Sequence, residues 1–198
     1  MTEQRPRLDV TPDRIATWAN AITVGRLLFA PLVFWAIPGH NEGSWIAFGL
    51  WFVLCASDGI DGYLARRHGT TSAGAFLDPL ADKVLVLGAM FTLVGTGMFW
   101  AVPVIIIAGR EIVISVYRVL VGGRGISVPA SQMGKHKTVV QQLAVGAALL
   151  PWTATTPWLW NGLLWLAVAL SLASGVQYLW RARLLRDAAA RTSAERIS

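Results

Sequence analysis

The sequence predicts an all-α integral membrane protein with six transmembrane helices and both termini in the cytoplasm. The first observation is composition: 55% of the 198 residues are hydrophobic and 14% are charged, whereas a soluble domain carries about a quarter charged residues. The second is six apolar stretches that are long enough, as helices, to cross a hydrocarbon core about 30 Å thick. The third is that Lys and Arg occur in alternate connections only.

The six apolar stretches are the predicted spans, and charged residues interrupt several of them. They cover residues 19–38, 45–65, 75–98, 100–122, 136–153 and 157–180. An open sheet could not span the membrane, because its edge amides would lie unpaired in lipid. We expect one membrane domain at 19–180, a polar cytoplasmic tail at 1–18 with an interfacial helix near 5–18, and a basic tail at 181–198 that extends the last helix.

The distribution of Lys and Arg predicts the orientation of the spans. These residues occur in the N-terminal tail, after the second span, between the fourth and fifth spans and in the C-terminal tail. The connections near 38–44, 97–101 and 152–158 contain neither. Because cytoplasmic loops carry the excess of Lys and Arg, both termini should be cytoplasmic. The net charge of +6 has the same origin, and we expect no nucleic-acid partner, which would need a basic face on a soluble fold.

Four carboxylates interrupt the second and third spans. Asp58 and Asp61 lie at i and i+3, and Asp78 and Asp82 lie at i and i+4, so each pair shares a helix face. Since the second span runs inward and the third returns, the pairs lie at similar depth just inside the cytoplasmic boundary. Ionisable residues in membrane spans are energetically unfavourable and usually functional.

Divalent cations would remove the repulsion among these four carboxylates. Oxygen ligands suit Mg²⁺, Mn²⁺ or Ca²⁺ rather than Zn²⁺, so we expect a polar, metal-containing cavity at the cytoplasmic side. The alternative is that each Asp pairs with a local base, namely Arg66, Arg67 or Lys83. Three bases near the boundary do not explain two acid pairs on facing helices.

The residues around these acids form one extended motif. It reads Asp58-x2-Asp61-Gly62-x2-Ala65-Arg66-x7-Gly74-x3-Asp78-x3-Asp82. The motif resembles the signature of the CDP-alcohol phosphotransferases, integral membrane enzymes of phospholipid synthesis. The family usually has eight residues between the Arg and the next Gly, and this chain has seven. Either Thr71 or Ser72 can therefore occupy the ligand-contacting place in the loop at 68–73.

The resemblance implies a six-helix fold and the transfer of a phosphatidyl group from CDP-diacylglycerol to an alcohol, with release of CMP. It implies that the Asp residues hold two metal ions, Mg²⁺ or Mn²⁺, and that Asp82 also serves as the catalytic base. It also implies a set of residues that bind the donor, CDP-diacylglycerol, and this set includes an N-x2-T-x2-R pattern on the first span. These donor-binding candidates are Asn20, Thr23, Arg26, Gly62, Arg66, Thr71 and Gly74. For Arg26 the alternative is snorkelling to the near interface.

Two further segments indicate the acceptor. Gly109-Arg110-Glu111 and Gly134-Lys135-His136-Lys137-Thr138-x2-Gln141 resemble elements of the phosphatidylglycerophosphate synthase branch, whose acceptor is glycerol 3-phosphate. A phosphate dianion needs cations in a partly desolvated place. The candidates are Arg118 and Lys135, followed by Arg110 and Lys137. Alternatively, Glu111 neutralises Arg110 or Arg118, and Lys137 is an ordinary cytoplasmic cation.

The favoured function is therefore phosphatidyl transfer from CDP-diacylglycerol to glycerol 3-phosphate in the cell membrane, with the active site facing the cytoplasm. Two alternatives keep the chemistry and change the acceptor: a cardiolipin synthase, which uses phosphatidylglycerol, and a phosphatidylinositol phosphate synthase. A remote alternative is a cation transporter with acids at mid-membrane depth. Membrane lipids are expected partners, and the resemblance implies a homodimer.

Overall fold

The computed structural model describes residues 18–39, 42–68, 72–122 and 132–195, with side chains at 23–39, 42–57, 80–122, 133–134 and 136–186. The secondary structure in these ranges is helical. The helices are α1 (Trp18–Ala36), α2 (Trp45–His68), α3 (Ser72–Gly95), α4 (Ala101–Gly122), α5 (Gln132–Leu149), α6 (Pro151–Ala154) and α7 (Pro157–Glu195).

The six long helices coincide with the six predicted apolar stretches, but several boundaries differ. The expected loop at 68–73 is shorter, because α2 continues to His68 and α3 begins at Ser72. Helix α5 begins at Gln132 rather than at 136, and the short α6 occupies part of an expected loop. Helix α7 continues to Glu195, which confirms the helical extension into the basic tail. The expected interfacial helix near 5–18 lies almost wholly outside the described residues.

The long helices pack into one bundle around an apolar core. Helix α1 packs against α2 and α3, α5 packs against α7, α2 and α3, and α4 packs against α3 and α7. Each buried face follows helical spacing, as at Leu164, Ala167, Val168 and Ser171 of α7. Small residues on these faces allow the helix axes to approach closely.

The three connections without Lys or Arg meet at one end of the bundle. The Ser44 amide donates a hydrogen bond to the Leu149 carbonyl at 2.8 Å, and the rings of Trp45 and Trp152 lie 5.0 Å apart. The rings of Phe99 and Trp160 lie 5.7 Å apart. We call this the Lys/Arg-free end. Because the long helices alternate in direction, α2 ends and α3 begins at the opposite end.

Two glycines shape the connections at the Lys/Arg-free end. A Cβ atom at Gly43 would lie 2.4 Å from the Pro151 Cα atom, so the backbone here can approach α6 only without a side chain. Gly97 has a φ of 81°, a left-handed conformation that glycine adopts without steric penalty. The turn that it forms carries the chain from α3 into α4.

One segment among the described residues has the length and apolar composition of a membrane span, namely Pro157–Arg186 of α7. Thr23–Ala36 and Trp45–Ser57 are shorter apolar helices. Helix α4 is long enough but contains Arg110, Glu111 and Arg118. The bundle exposes many large apolar side chains on its outer surface, including Trp35 at 88% and Leu28 at 71%. Extensive exposed apolar surface is typical of proteins that contact lipid.

Candidate active site

The four aspartates of the motif lie at two matching levels of α2 and α3. At 1.5 Å per residue, Asp58 and Asp82 each lie about 20 Å along their helix from the Lys/Arg-free end. Asp61 and Asp78 each lie about 25 Å from that end. The side chain of Asp82 is half-buried, while those of the other three lie outside the described residues. Within the described part of the chain, no three His, Cys, Asp or Glu side chains form a metal-binding group.

The register of α2 relates Asp58 and Asp61 to the core-facing stripe of that helix. Ala47, Trp51 and Leu54 are buried, and positions 58 and 61 continue the same i+4, i+3 spacing. A set of carboxylates on two neighbouring levels has the oxygen donors that hard divalent cations prefer. By residue type, the donor set therefore fits a hard divalent cation.

Helix α1 carries a buried threonine at the level of Asp58 and Asp82, and a buried arginine about one turn nearer the Lys/Arg-free end. Thr23 is fully buried and Arg26 is 2% exposed, and they lie about 20 Å and 15 Å from the Lys/Arg-free end. An arginine that snorkelled would reach the surface, so the burial of Arg26 contradicts that alternative. Helix α1 packs on both helices that carry the aspartates.

The other donor candidates have only a helical position. Asn20 lies in α1, Gly62 and Arg66 lie in α2, and Gly74 lies in α3, and their surroundings are outside the described residues. Thr71 lies between the described ranges.

A charged network lies at the junction of α4, α5 and α7. The Arg110 guanidinium donates to the Glu111 carboxylate at 2.8 Å, to the Ser171 carbonyl at 2.9 Å and to the Ser174 hydroxyl at 2.8 Å. The Lys137 ammonium donates to the same Oε1 atom of Glu111. Glu111 is 6% exposed and Lys137 is 9% exposed. The structure thus pairs Glu111 with Arg110, as one sequence alternative expected, and also with Lys137.

The network continues toward the helix that carries Asp82. The Lys83 ammonium on α3 donates to the Ser115 hydroxyl on α4. That hydroxyl donates in turn to the Glu111 backbone carbonyl at 2.6 Å. The residue after Asp82 is therefore tied to the residue pair at the centre of α4. Sequence reasoning considered Lys83 only as a local partner for the aspartates.

Arg118 and Lys135 are the two principal cations predicted for the acceptor site, and the structure describes the side chain of Arg118. Arg118 is exposed, and its guanidinium lies over the Tyr178 ring, 5.3 Å from the centroid. The Tyr117 ring meets Tyr178 edge-on at 6.3 Å. Lys135 lies in the first turn of α5, and its side chain is outside the described residues. Arg118 therefore has an aromatic support that holds its guanidinium without neutralising it.

Sequence reasoning missed the α7 residues that complete the network. Ser171 and Ser174 are buried on an apolar helix, and Gly175 follows them. A buried Ser-x2-Ser pair was the available signal, but small residues in such helices usually mark close packing.

Gln141, one turn after Lys137, is 3% exposed, and its amide nitrogen has no hydrogen-bond partner in the described part of the chain.

Positive charge exceeds negative charge among the described members of this network. Lys83, Arg110 and Lys137 contribute three cations, and Glu111 and Asp82 contribute two carboxylates, so these side chains carry one surplus positive charge. Buried charges are stable only when they are paired and hydrogen-bonded. The surplus suits an anionic ligand beside this network.

Comparison with known proteins identifies a family and several named relatives. A model of the family described as CDP-alcohol phosphatidyltransferase matches residues 16–173. The chain is 37% identical over 180 residues to the "Probable phosphatidylglycerophosphate synthase" of Mycobacterium tuberculosis strain H37Rv, covering 88% of this chain and 84% of the relative. It is also similar to proteins named "CDP-diacylglycerol--glycerol-3-phosphate 3-phosphatidyltransferase". That of Haemophilus influenzae is 36% identical over 80% of this chain and 89% of the relative. That of Escherichia coli K12 is 35% identical over 82% and 92%.

Proposed function

Since this chain belongs to the CDP-alcohol phosphatidyltransferase family, whose members are membrane-embedded, we propose that it transfers a phosphatidyl group from CDP-diacylglycerol to glycerol 3-phosphate. The products are phosphatidylglycerophosphate and CMP. The observation that carries the proposal is the chain of contacts that ties Lys83, next to Asp82 on α3, through Ser115 to the Glu111 of α4 that binds Arg110 and Lys137. The names of the relatives in Haemophilus and Escherichia supply the two substrates.

The donor end of the site is formed by α1, α2 and α3. Asp58, Asp61, Asp78 and Asp82 would hold the divalent cations, Mg²⁺ or Mn²⁺, and two ions when bound neutralise the pyrophosphate charge of the donor. Arg26 is supported as a donor contact by its burial about one turn from the level of Asp58 and Asp82. The remaining donor contacts are Asn20, Thr23, Gly62, Arg66, Thr71 and Gly74, of which Arg66 can bind a phosphate through two parallel hydrogen bonds.

Asp82 serves as the general base. The primary hydroxyl of the acceptor attacks the β-phosphorus of the donor, the bond from that phosphorus to the bridging oxygen breaks, and CMP leaves with the bond electrons. The hydroxyl proton passes to the Asp82 carboxylate. Because Lys83 is tied to Ser115 of α4, the turn that carries Asp82 is anchored next to the acceptor end.

The acceptor end holds the phosphate of glycerol 3-phosphate away from the pyrophosphate. Arg118 and Lys135 are its principal cations, with Lys137 and Arg110 behind them. A charge-assisted hydrogen bond to phosphate is stronger than a neutral one. The surplus positive charge of the network supports this placement.

The membrane arrangement follows from the same features. We place six spans in the domain at 19–180, with the tails at 1–18 and 181–198 in the cytoplasm and the Lys/Arg-free end on the opposite side. The contacts among the three Lys/Arg-free connections support this orientation. The soluble nucleotide then enters from the cytoplasm while the acyl chains remain in lipid.

The experiment is an acceptor panel with radiolabelled CDP-diacylglycerol and the purified protein in the presence of Mg²⁺ or Mn²⁺. We expect CMP release with glycerol 3-phosphate and little release with phosphatidylglycerol or inositol phosphate. Asp61→Asn should abolish release, while Glu42→Gln, a change in an exposed acid near the Lys/Arg-free end, should leave it unchanged.

Other outcomes would contradict part or all of the proposal. Release with phosphatidylglycerol or inositol phosphate alone would replace the acceptor and keep the donor chemistry. Uptake of the divalent cation into vesicles without CMP release would show that the protein is a transporter and not an enzyme.

A further inference from the structure

The Arg110–Glu111 pair lies where an apolar pair would be expected. It occupies the middle of α4, and both side chains are almost fully buried, at 11% and 7% exposed. Replacing a buried ion pair with apolar residues is often neutral or stabilising. The stability of the bundle alone therefore does not account for charged residues at these positions.

Three residues of α7, at positions 171, 174 and 175, bind or make room for Arg110. Its guanidinium donates to the Ser171 carbonyl and to the Ser174 hydroxyl. A Cβ atom at Gly175 would lie 3.1 Å from the Arg110 Nε atom and 3.6 Å from its Cγ atom. Only glycine at 175 leaves the arginine its full space.

Glu111 connects the fixed Arg110 side chain to Lys137 of α5. Its Oε1 atom accepts hydrogen bonds from both Arg110 and Lys137. The Lys137 ammonium has three N–H donors, and Glu111 accepts from one of them. This bond fixes the position of the ammonium nitrogen and leaves its other two N–H groups as donors for a ligand. The triad of Arg110, Glu111 and Lys137 retains one net positive charge.

We propose that Glu111 is a positioning residue that fixes the Lys137 ammonium for the phosphate of the acceptor, and that Gly175 sets acceptor affinity by leaving room for the Arg110 that holds Glu111. This assignment rests on the proposed function for the identity of the acceptor. It makes Arg110 a support of the phosphate site rather than a ligand of the phosphate.

The Glu111→Gln variant separates positioning from neutralisation, because the two roles predict opposite changes. If Glu111 only neutralised cations, its loss would add net positive charge and lower the KM for a phosphate-bearing acceptor. If it positions Lys137, the KM for glycerol 3-phosphate should rise about tenfold. The KM for CDP-diacylglycerol should change less than about twofold in either case, because the donor end lies on other helices.

The Gly175→Ala variant tests the remote end of the same chain of contacts. We expect the KM for glycerol 3-phosphate to rise about tenfold, with an unchanged KM for CDP-diacylglycerol. The matched control is Gly162→Ala on the same helix, where a Cβ atom would meet nothing within 4 Å. Because both substitutions act on Lys137, the Gly175→Ala and Glu111→Gln effects should be less than multiplicative in the double variant.

A second variant covers the case in which Gly175→Ala fails to fold. Ser174→Ala removes one hydrogen bond to Arg110 without adding volume, and should raise the KM for glycerol 3-phosphate about threefold. A fall in thermal stability with an unchanged KM would overturn the proposal and leave Gly175 a packing residue. Multiplicative effects, or a lowered KM in Glu111→Gln, would overturn it as well.

Failure of the proposed function would be visible separately. If the wild-type protein ignores glycerol 3-phosphate, the same variants are measured with whichever phosphate-bearing acceptor of the panel it uses. A selective rise in the KM for that acceptor would support the positioning role, and its absence would overturn it.

Discussion

At the scale of single residues, the candidate site consists of charged residues whose positions along the helices follow from the helix bounds. Asp58 and Asp61 share a face by spacing alone, and the helix bounds place Asp82 at the same level as Asp58. These matches were predictable, because they follow from helical periodicity. The pairing of Glu111 with Lys137 was not, since 26 residues separate them and no local pattern specifies which buried charges meet.

Neutralising single aspartates should abolish the reaction. Asp58→Asn, Asp61→Asn and Asp78→Asn should each eliminate CMP release without preventing membrane insertion, because each removes a charged oxygen donor. Asp82→Asn should also be inactive but should retain more CDP-diacylglycerol binding than Asp61→Asn. Equal loss of binding in all four variants would make Asp82 an ordinary ligand, and near-normal activity in any one would contradict a shared cluster.

Changes in the acceptor cations should affect one substrate only. Arg118→Ala or Lys135→Ala should raise the KM for glycerol 3-phosphate by about one to two decades, since a charge-assisted contact contributes roughly 1.5–3 kcal/mol. The KM for CDP-diacylglycerol should stay nearly constant. Arg66→Ala should show the reverse pattern in steady-state kinetics, and parallel changes in both KM values would contradict separate donor and acceptor ends.

At the scale of helices, apolar stretches and their interrupting charges predicted the six long elements. The short α6 was missed because four residues beginning with Pro151 have no periodicity to detect. The α7 side of the charged network was missed because Ser171, Ser174 and Gly175 resemble an ordinary packing face. They differ from a packing face because Arg110 of α4 contacts them. A linear sequence pattern does not contain this information about packing between helices.

The packing of the connection before α2 against α6 predicts a stability effect. In Gly43→Ala, the new Cβ atom would lie within 3 Å of backbone atoms at 150–151, and the backbone would have to shift. We expect the free energy of unfolding to fall by about 1–3 kcal/mol, measured as a lower Tm of the purified protein. Gly49→Ala on α2, where a Cβ atom meets nothing within 4 Å, should leave Tm unchanged, and an equal Tm in both variants would contradict the close approach.

At the scale of the whole molecule, the bundle separates an end whose connections contain no Lys or Arg from the opposite end, toward which the candidate site lies. The chain before α2 contacts residues 149–152, and the connection between α3 and α4 contacts the start of α7. Sequence reasoning could state only that the three Lys/Arg-free connections lie on the same side. Helix length and the distribution of charge determined that much. Which connections touch depends on how the helices are arranged around one another.

This arrangement predicts opposite labelling of two positions. Cysteines introduced at His40 and at His68 should react with an aqueous thiol reagent from opposite sides of the membrane, because His40 precedes α2 and His68 is the last residue of α2. The native Cys55, half-buried in α2, should stay unreactive and serves as the internal control. Labelling of both positions from one side would contradict the six-span arrangement.

The most direct test of the central claim follows the acceptor phosphate into the product. Purified protein is incubated with radiolabelled glycerol 3-phosphate, CDP-diacylglycerol and Mg²⁺ or Mn²⁺, and the lipid is extracted. We predict label in a lipid that carries the phosphate of the phosphatidyl group and the phosphate of glycerol 3-phosphate. This lipid should form in amounts equal to the CMP released and should be absent without CDP-diacylglycerol. Release of CMP with no label in the lipid would contradict the account.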